Sequence, residues 1–538
     1  MSAVASAIQQ LMGAGQQQPT GEPHSMPAPI GGLNAKDALA NMPETDAVVI
    51  DNFFVQPTWV EVRNGCSNSA TFTGTAETVA SYNGFTGTQR YAGVVNGAVR
   101  SIFRVDGLAG GPVGAPVVGG AGNVIQAITN TQYDWIQFSS GSTSILGLVN
   151  GADPALVYNG STWSTWALTG ISTNLLSCVA AYHQRLWFVQ ANSFIVWYLP
   201  QTAIQGALTS LDLGNLFQLG GALQSILSIS IDNSQGTNDY IAFVSTQGEV
   251  IVYTGYDPSQ VATWYLSARF RIGAPIGSGR RMWQKIGSDA AVLCADGLVL
   301  LSEELLTDRT QQVGNVSAKI RKAIQAAIQQ YGNNFGWQVQ LHPLGTKLLL
   351  TVPTVQDSSS YMFVMNLLNK SWSTFGLLAS SWNAYCMELS GDSLYVGTNG
   401  AVMLVDSGGS DNGNAINYYV RAAYSYLGMP GRQKLFNMCR PIFVSNGSTQ
   451  VGISLSVDYA NALFTGTVGT SQGNSAQWNV ALWTTPTYWG DAAVISKNWV
   501  GLSGLGYSGA LQLQGSSLNT SLQWQSTDFL FQPAGIVG

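Results

Sequence analysis

The stretch YIAFVSTQGEVIVYTG (residues 240–255) decides the fold of this 538-residue chain. Two runs of β-branched and aromatic residues flank a polar turn that contains Gly248, which is the pattern of an antiparallel hairpin with a tight turn. Similar pairs of runs recur from about residue 70 to residue 412, separated by turns rich in Gly, Asn, Asp and Ser. The sequence therefore predicts an all-β protein with many short antiparallel strands.

The turn at Gly248 belongs to a repeat. The same polar-Gly-x-Val pattern occurs at Gly97, Gly297 and Gly400, with separations of 151, 49 and 103 residues that lie near multiples of fifty. A Trp-Ser-Thr unit also occurs twice, at 163–165 and 372–374. A period of about forty to fifty residues in an all-β chain is typical of a β-propeller, in which four-stranded blades pack on their neighbours. We expect six or seven blades within residues 70–412, although Gly-x-Val turns also recur by chance in glycine-rich β proteins.

One segment departs from the strand pattern. In GNVSAKIRKAIQAAIQQYGNN (residues 314–334), apolar residues recur at three- and four-residue spacings from Val316 to Tyr331. This spacing predicts one amphipathic helix near residues 315–331, packed against a blade. Asn315 or Ser317 is its expected N-cap, and Gly332 is its expected end.

The two ends of the chain differ from the repeat region. Residues 1–69 are predicted to form an extended N-terminal arm and a first strand: AKDALANM (35–42) suggests a short helix, and AVVIDNFF (47–54) is an apolar strand-like run. After residue 412 the repeat ends. Alternating apolar and polar residues, as in VGISLSVDYA (451–460), predict an additional antiparallel β domain over residues 413–538.

The chain carries unusually little charge. Charged residues make up 9% of it, where about a quarter is usual in soluble proteins. Low charge combined with many apolar residues predicts a surface partly covered by neighbouring subunits; the alternative is a soluble surface of Ser, Thr, Asn and Gln. The 22 Lys and Arg against 28 Asp and Glu also exclude a protein that clamps DNA by its phosphates. The tight cationic groups, at Arg280–Arg281 and Lys319–Lys322, are predicted to be solvated.

The residues that usually carry chemistry are sparse and scattered. The five cysteines and three histidines show no metal-binding spacing, and the five cysteines are expected to be small, partly buried apolar residues. The glycine-rich run GAPIGSGRR (273–281) lacks the Gly-Lys-Ser/Thr of a phosphate-binding loop. No apolar stretch is long enough to span a membrane. The sequence therefore predicts a non-enzymatic protein with no catalytic residues, no metal ligands and no cofactor.

Several segments resemble one known family. PIGGLNAKDALANMPETDAVVIDNFF (29–54), YHQRLWFVQANSFIVWYLP (182–200) and RQKLFNMCRPIFV (432–444) are similar to segments of the tail nozzle proteins of short-tailed bacteriophages, which include packaged-DNA stabilisation (head-completion) proteins. The resemblance extends over most of the chain. It rests on strand and turn patterns together with the distinctive N-terminal segment, and on no reactive group.

The resemblance implies a structural protein of the virion, made in the cytoplasm of the host bacterium and located in the phage tail. Six copies would form a ring at the distal end of the DNA channel, below the portal-adaptor (head-to-tail connector) ring. That ring would retain the packaged double-stranded DNA, let it pass without sequence-specific binding, and attach tail fibre, tailspike or needle proteins. The channel-lining residues stay unassigned. The candidate assembly residues lie in the N-terminal segment: Gly31, Gly32, Leu33, Asn34, Asp51, Asn52 and Phe53.

The alternative is a propeller that binds or hydrolyses carbohydrate during host recognition. Its binding platforms would be tryptophans such as Trp163, Trp264 or Trp372, although packing between blades explains these residues equally well. A hydrolase would need a converging pair of carboxylates from distant segments. Fold alone does not choose between these functions.

Overall fold

The structure is a computed structural model. It describes residues 21–85, 87–107, 110–119, 126–233, 236–260, 262–277, 279–302, 316–376, 383–464, 466–470 and 494–534. The first twenty residues of the predicted arm lie outside these ranges. Strands predominate among the described residues, as the sequence predicted.

From residue 21 onward, five short strands precede the repeat region. They are β1 (Glu22–Pro27), β2 (Gly32–Leu33), β3 (Asp46–Asp51), β4 (Phe53–Val55) and β5 (Val60–Val62). The apolar run at 47–54 thus forms β3 and β4, as predicted. The short helix predicted at 35–42 is wrong, because this segment consists of turns and bends, in which Asn34 Oδ1 accepts hydrogen bonds from the backbone N–H groups of Lys36 and Asp37 at 3.0 Å.

The described residues of the repeat region contain twenty-eight further strands. They are β6 (Cys66–Gly84), β7 (Gly87–Asn96), β8 (Val99–Arg104), β9 (Val118–Gly119), β10 (Asp134–Ser140), β11 (Thr143–Val149), β12 (Leu156–Tyr158), β13 (Trp163–Thr165), β14 (Leu168–Thr169), β15 (Leu176–Tyr182), β16 (Arg185–Gln190), β17 (Ile195–Tyr198), β18 (Gly206–Ala207), β19 (Thr209–Asp212), β20 (Leu223–Asn233), β21 (Gly236–Ser245), β22 (Glu249–Thr254), β23 (Tyr265–Arg271), β24 (Trp283–Ile286), β25 (Asp289–Cys294), β26 (Gly297–Leu300), β27 (Gln338–His342), β28 (Lys347–Val355), β29 (Ser359–Asn366), β30 (Trp372–Phe375), β31 (Cys386–Ser390), β32 (Ser393–Gly397) and β33 (Asn399–Val405).

Among the described residues, all of these strands except β14 and β18 form a β-propeller of seven antiparallel blades; β14 and β18 pair with each other in parallel. Four blades are separate sheets: blade 2 (β10 to β13), blade 3 (β15, β16, β17 and β19), blade 4 (β20 to β23) and blade 5 (β24 to β26). Blade 6 (β27 to β30) is part of a larger sheet. Blade 7 (β31 to β33 with β6) and blade 1 (β6 to β9) share the long strand β6. The first half of β6 pairs with β33, and its second half pairs with β7. An N-terminal strand therefore closes the ring of blades.

Hydrophobic clusters between successive blades hold the ring together. One cluster lies between blades 1 and 2, and others follow between blades 2 and 3, 3 and 4, and 4 and 5. Blades 6 and 7 share a cluster, as do blades 7 and 1. Blades 5 and 6 meet in the largest cluster of the molecule. Burial of apolar surface between blades closes the propeller, at about 25 cal/mol for each Å² removed from water.

The fifty-residue repeat of the sequence corresponds to one blade. Gly97, Gly248, Gly297 and Gly400 each lie where the second strand of a blade turns into the third, in blades 1, 4, 5 and 7. All four have a positive φ, between 57° and 110°, which glycine adopts without steric cost. Both Trp-Ser-Thr units form fourth strands, in blades 2 and 6. The predicted repeat is therefore confirmed.

The predicted helix is α1 (Arg321–Tyr331). It packs on β26 and β28, and thus between blades 5 and 6. Ser317 is not its N-cap: the Ser317 hydroxyl accepts a hydrogen bond from the backbone N–H of Leu298 at 3.0 Å instead. The other predicted N-cap, Asn315, lies outside the described residues. Gly332 ends the helix as predicted, with its N–H bonded to the carbonyl of Ile328.

The remaining strands lie in the C-terminal region. They are β34 (Ile416–Ala422), β35 (Lys434–Ser445), β36 (Gln450–Val457), β37 (Gly466–Gly469), β38 (Val494–Ser496), β39 (Val500–Gly506), β40 (Gly509–Ser517) and β41 (Leu522–Pro533). One sheet runs from blade 6 through β3 to β34, β40, β36 and β37. The second contains β35 flanked by β38, β39 and β41, and continues through β5 to β4, with β1 paired to β41.

The N-terminal strands therefore belong to the same β unit as the C-terminal strands. Strand β3 pairs with β30 of blade 6 on one side and with β34 on the other. The chain enters and leaves the propeller at adjacent points, because the N–H of Gly65 bonds to the carbonyl of Gly408 at 2.8 Å. The propeller is thus inserted into a β unit built from both ends of the chain, which we call the two-ended β unit (residues 21–65 and 408–534).

Candidate functional site at the propeller axis

The first strands of the blades meet at the propeller axis, where several polar side chains are buried. The carboxylate of Asp134, on β10, accepts hydrogen bonds from the backbone N–H of Val179 at 2.9 Å and of Arg280 at 3.1 Å. Gly279 permits this approach, since a Cβ there would lie 2.8 Å from the carboxyl carbon. Burial raises the pKa of Asp134, and these hydrogen bonds lower it by a smaller amount. Asp134 therefore connects three blades and has both oxygens occupied.

The guanidinium of Arg281 crosses the axis. It donates hydrogen bonds to the carbonyl of Glu77 and the hydroxyl of Thr78 in blade 1, and to Gln338 in blade 6. Burial lowers the pKa of Arg281, and the nearby Cys386, Asp134 and Glu77 act in the opposite direction. The predicted solvated position of Arg281 is wrong, because its partners in blades 1 and 6 hold the buried side chain inside the ring.

The second arginine of the pair, Arg280, faces a different environment. Its guanidinium stacks over the ring of Trp135, 3.6 Å from the ring centroid, and donates a hydrogen bond to the carbonyl of that residue at 3.1 Å. One of its terminal nitrogens lies 4.0 Å from the carboxyl group of Glu388 on β31. Burial raises the pKa of Glu388 from its ordinary 4.5 to about 8, against the opposing effect of Arg280. At neutral pH Glu388 is therefore mostly uncharged.

A cavity of about 290 Å³ opens beside Arg280 and Trp135. The first strands of blades 2, 3, 4, 5 and 6 all contribute to its walls. Its polar lining consists of two cations, two amides, a hydroxyl and two indoles, which are Arg280, Lys285, Gln284, Gln340, Ser228, Trp135 and Trp283. None of its described lining residues carries a carboxylate. We call this space the axial cavity; chemically it is suited to hold an anionic ligand with hydroxyl groups.

The predicted assembly residues lie elsewhere, at the junction between blade 6 and the two-ended β unit. Gly31 and Gly32 pass so close to Asp46 and Trp372 that neither position has room for a Cβ. The side chains of the other five are buried within the chain: Leu33, Asn34, Asp51, Asn52 and Phe53. They join parts of one chain, and so this structure leaves them little surface for contact with a second subunit.

An ion pair fixes the same junction. The guanidinium of Arg63 binds both carboxylate oxygens of Asp411, at 2.8 and 2.6 Å, and also donates to the side-chain oxygen of Asn52 at 2.8 Å. Asn52 has a φ of 57° and accepts a further hydrogen bond from the N–H of Gly376. The segment around Asn52 thus links β3, blade 6 and the return of the chain from the propeller.

The tryptophans considered as sugar platforms are packing residues. Trp163, Trp264 and Trp372 lie in or directly before the fourth strands of blades 2, 4 and 6, and all three are buried. The five cysteines are buried, as expected, and none forms a disulfide bond. Among the described residues, no cluster of His, Cys, Asp or Glu is suited to hold a metal ion. That part of the chain also contains no helix long and apolar enough to cross a membrane.

Sequence reasoning missed the axial residues. A signal existed, since Asp134, Glu388 and Arg281 are charged residues within or next to apolar strand runs of a chain with only 9% charge. A charged residue in a strand covered on both faces needs a partner inside the protein. That signal marks each residue as unusual, but it does not identify the partner.

The comparisons with known proteins are sparse. No family model and no curated protein matches the chain. A similar solved structure is that of Raptor from Chaetomium thermophilum, with 9% sequence identity and a TM-score of 0.39. The alignment covers 64% of this chain and 28% of Raptor. A similarity this weak carries no argument about function, and the propeller is defined by its own strand order and closure.

Proposed function

We propose that this chain is a structural subunit of a bacteriophage tail: a nozzle protein that forms a homohexameric ring at the distal end of the DNA channel. The ring would retain packaged DNA, permit its ejection, and attach tail fibres or spikes, without catalysis and without a cofactor. The sequence resemblance described above motivates this proposal. Its segments fall in the N-terminal strands, in blade 3 and in β35, and so in both parts of the molecule.

The observation that carries the proposal is an exposed apolar patch on the two-ended β unit. Leu435 and Leu505 are cross-strand partners on β35 and β39, with 41% and 57% of their surface exposed. Ile495 and Trp499 are also exposed, but they lie further along β35, where Ile495 pairs with Val444. Adjacent apolar side chains on a sheet face are typical of a surface that another protein covers. We assign this patch to contact with a second copy of the chain.

The charge of the molecule supports a role beside moving DNA. With a net charge of −6 and only 22 Lys and Arg, the chain has few groups that can bind phosphates. Each contact between a cation and a DNA phosphate releases counterions and strengthens binding. A chain with few cations therefore lets DNA pass more easily than it holds DNA by binding. The propeller axis is filled by Asp134, Arg281 and their partners, and so the DNA path would run outside the propeller.

The proposal is tested by assembly. The purified protein, mixed with portal-adaptor complexes of a short-tailed phage, should form six-copy rings visible by negative-stain electron microscopy and native mass spectrometry. The double substitution Leu435→Asp/Leu505→Asp should abolish ring formation while leaving the circular dichroism spectrum unchanged. Leu344→Asp/Leu368→Asp is the matched control, since these propeller residues are 74% and 67% exposed. A protein that stays monomeric beside its partner rings would contradict the proposal.

A second candidate is a carbohydrate-active propeller, favoured only by the axial cavity. In its hydrolytic form it requires two carboxyl groups free to act on a sugar. Asp134 has both oxygens occupied by backbone N–H groups and so is not free to act as one member of such a pair. Release of reducing sugar from host polysaccharide would support the hydrolytic form over the nozzle.

A further inference from the structure

We propose that the axial cavity is a binding site for an acidic sugar, in which Lys285 and Arg280 hold the carboxylate of a hexuronate ring. The inference concerns the propeller alone. It does not depend on ring assembly, because the cavity is formed by blades 2 to 6 of a single chain. A monomer that binds the sugar would support this inference and contradict the proposed ring. A ring that does not bind the sugar would do the opposite, so the two proposals can fail separately.

The charges at the cavity favour an anion. Lys285 is exposed at its wall and forms no ion pair among the described residues. Arg280 is held in place by Trp135. Its acidic neighbours are Asp134, whose oxygens accept backbone N–H groups, and Glu388, whose pKa of about 8 leaves it mostly neutral at neutral pH. A cation attracts a carboxylate most strongly in a partly enclosed space.

The uncharged polar groups match the hydroxyls of a sugar. Gln284, Gln340 and Ser228 line the cavity with amide and hydroxyl groups that both donate and accept hydrogen bonds. Trp283, another wall residue, adds its indole ring to the lining.

The apolar walls and the volume favour a single ring. Ile136, Val179, Ala180 and Ile226 line the cavity from three successive blades and present aliphatic surface. About 290 Å³ lies at the small end of the range for ligand pockets, where one sugar ring fits. Inorganic phosphate has no apolar face to cover these walls, and a neutral sugar leaves Lys285 and Arg280 without a counter-charge.

The experiment measures binding of glucuronate to the full-length protein by isothermal titration calorimetry at low ionic strength. Glucuronate should bind saturably, and glucose, its neutral analogue, should bind at least roughly tenfold more weakly because it lacks the charge-assisted hydrogen bonds. Lys285→Gln should weaken glucuronate binding by roughly tenfold for the same reason. Lys370→Gln, on an exposed turn of blade 6, is the matched control and should leave binding unchanged.

A second variant tests whether the loss of binding in Lys285→Gln comes from the cavity itself and not from the change in net charge. Ala181→Phe places a ring at the exposed edge of the cavity and leaves every polar group in place; it should abolish glucuronate binding without lowering the melting temperature. The inference is overturned if glucose binds as well as glucuronate. It is also overturned if Lys285→Gln behaves like its control, or if phosphate and acetate bind as tightly as glucuronate.

Discussion

At the scale of single residues, the ionisation of Glu388 depends on its burial near the propeller axis. Burial raises its pKa from 4.5 to about 8. Between about pH 4.5 and 8 the unfolded chain releases this proton while the folded protein keeps it. The contribution of Glu388 to the free energy of unfolding is therefore complete below about pH 4.5, falls as pH rises, and is lost above about 8.

This reasoning gives the first prediction. Replacement of Glu388 by Gln should remove the part of the pH dependence that Glu388 causes, which is worth on the order of a few kcal/mol at about 1.4 kcal/mol per unit of pKa shift. Urea unfolding between pH 5 and pH 8.5, at about half-unit steps, measures the slope. Asp392→Asn, an exposed acid on the adjoining turn, serves as the control and should keep the wild-type slope. An unchanged slope in the Glu388 variant would mean that this group is ionised in the folded protein.

Individual residues also show which structural features can be predicted from the sequence and which cannot. The role of Gly248 follows from its neighbours, because a polar residue, Gly and Val between two apolar runs define a local turn. The positions of Arg280 and Arg281 do not follow, since consecutive residues with the same side-chain chemistry have opposite surroundings. Arg281 is bound by blades 1 and 6, whereas Arg280 lies at the edge of the axial cavity. Their partners are distant in sequence, and no local pattern identifies them.

At the scale of elements, β3 is the structural link between the two parts of the molecule. Its apolar run identified it as a strand, but its parallel pairing with β30 and antiparallel pairing with β34 are non-local contacts. Strand β2 lies beside β3, where Gly32 has a φ of 75°. A Cβ at Gly32 would lie 2.5 Å from the carbonyl oxygen of Trp372.

The second prediction tests this junction. Gly32→Ala combines an unfavourable positive φ with overpacking against a backbone atom, and should lower the free energy of unfolding by about 2 to 5 kcal/mol. Gly141→Ala is the matched control, because Gly141 has a φ of 60° with no atom within 4 Å of the added Cβ; about 1 to 2 kcal/mol is expected there. Urea denaturation of both variants provides the comparison. Equal losses would show that the close contact with Trp372 adds nothing.

At the scale of the whole molecule, the architecture is an insertion. The sequence predicted a propeller between two other regions, and the period of fifty residues identified the propeller correctly. It did not reveal that residues 21–65 and 408–534 form one β unit, because β-strand pairing between the two ends of a chain leaves no periodic pattern. Phe53, Val60 and Trp524 pack in one cluster with residues of blade 6 and α1, so the unit has a core of its own that extends into the propeller.

The third prediction follows from the insertion. A fragment of residues 408–538 keeps the pairing of β41 with β35 but lacks β1, β3, β4 and β5, and so leaves the other edge of β41 unpaired along with part of the core. Unpaired edges and uncovered apolar faces favour aggregation, and this fragment should not unfold cooperatively in urea. Residues 21–65 joined to residues 408–538 by a short Gly/Ser linker should fold, because Gly65 and Gly408 are already hydrogen-bonded neighbours. A cooperative transition in the isolated 408–538 fragment would show that the C-terminal strands fold without the N-terminal ones, and that the propeller separates two independent domains.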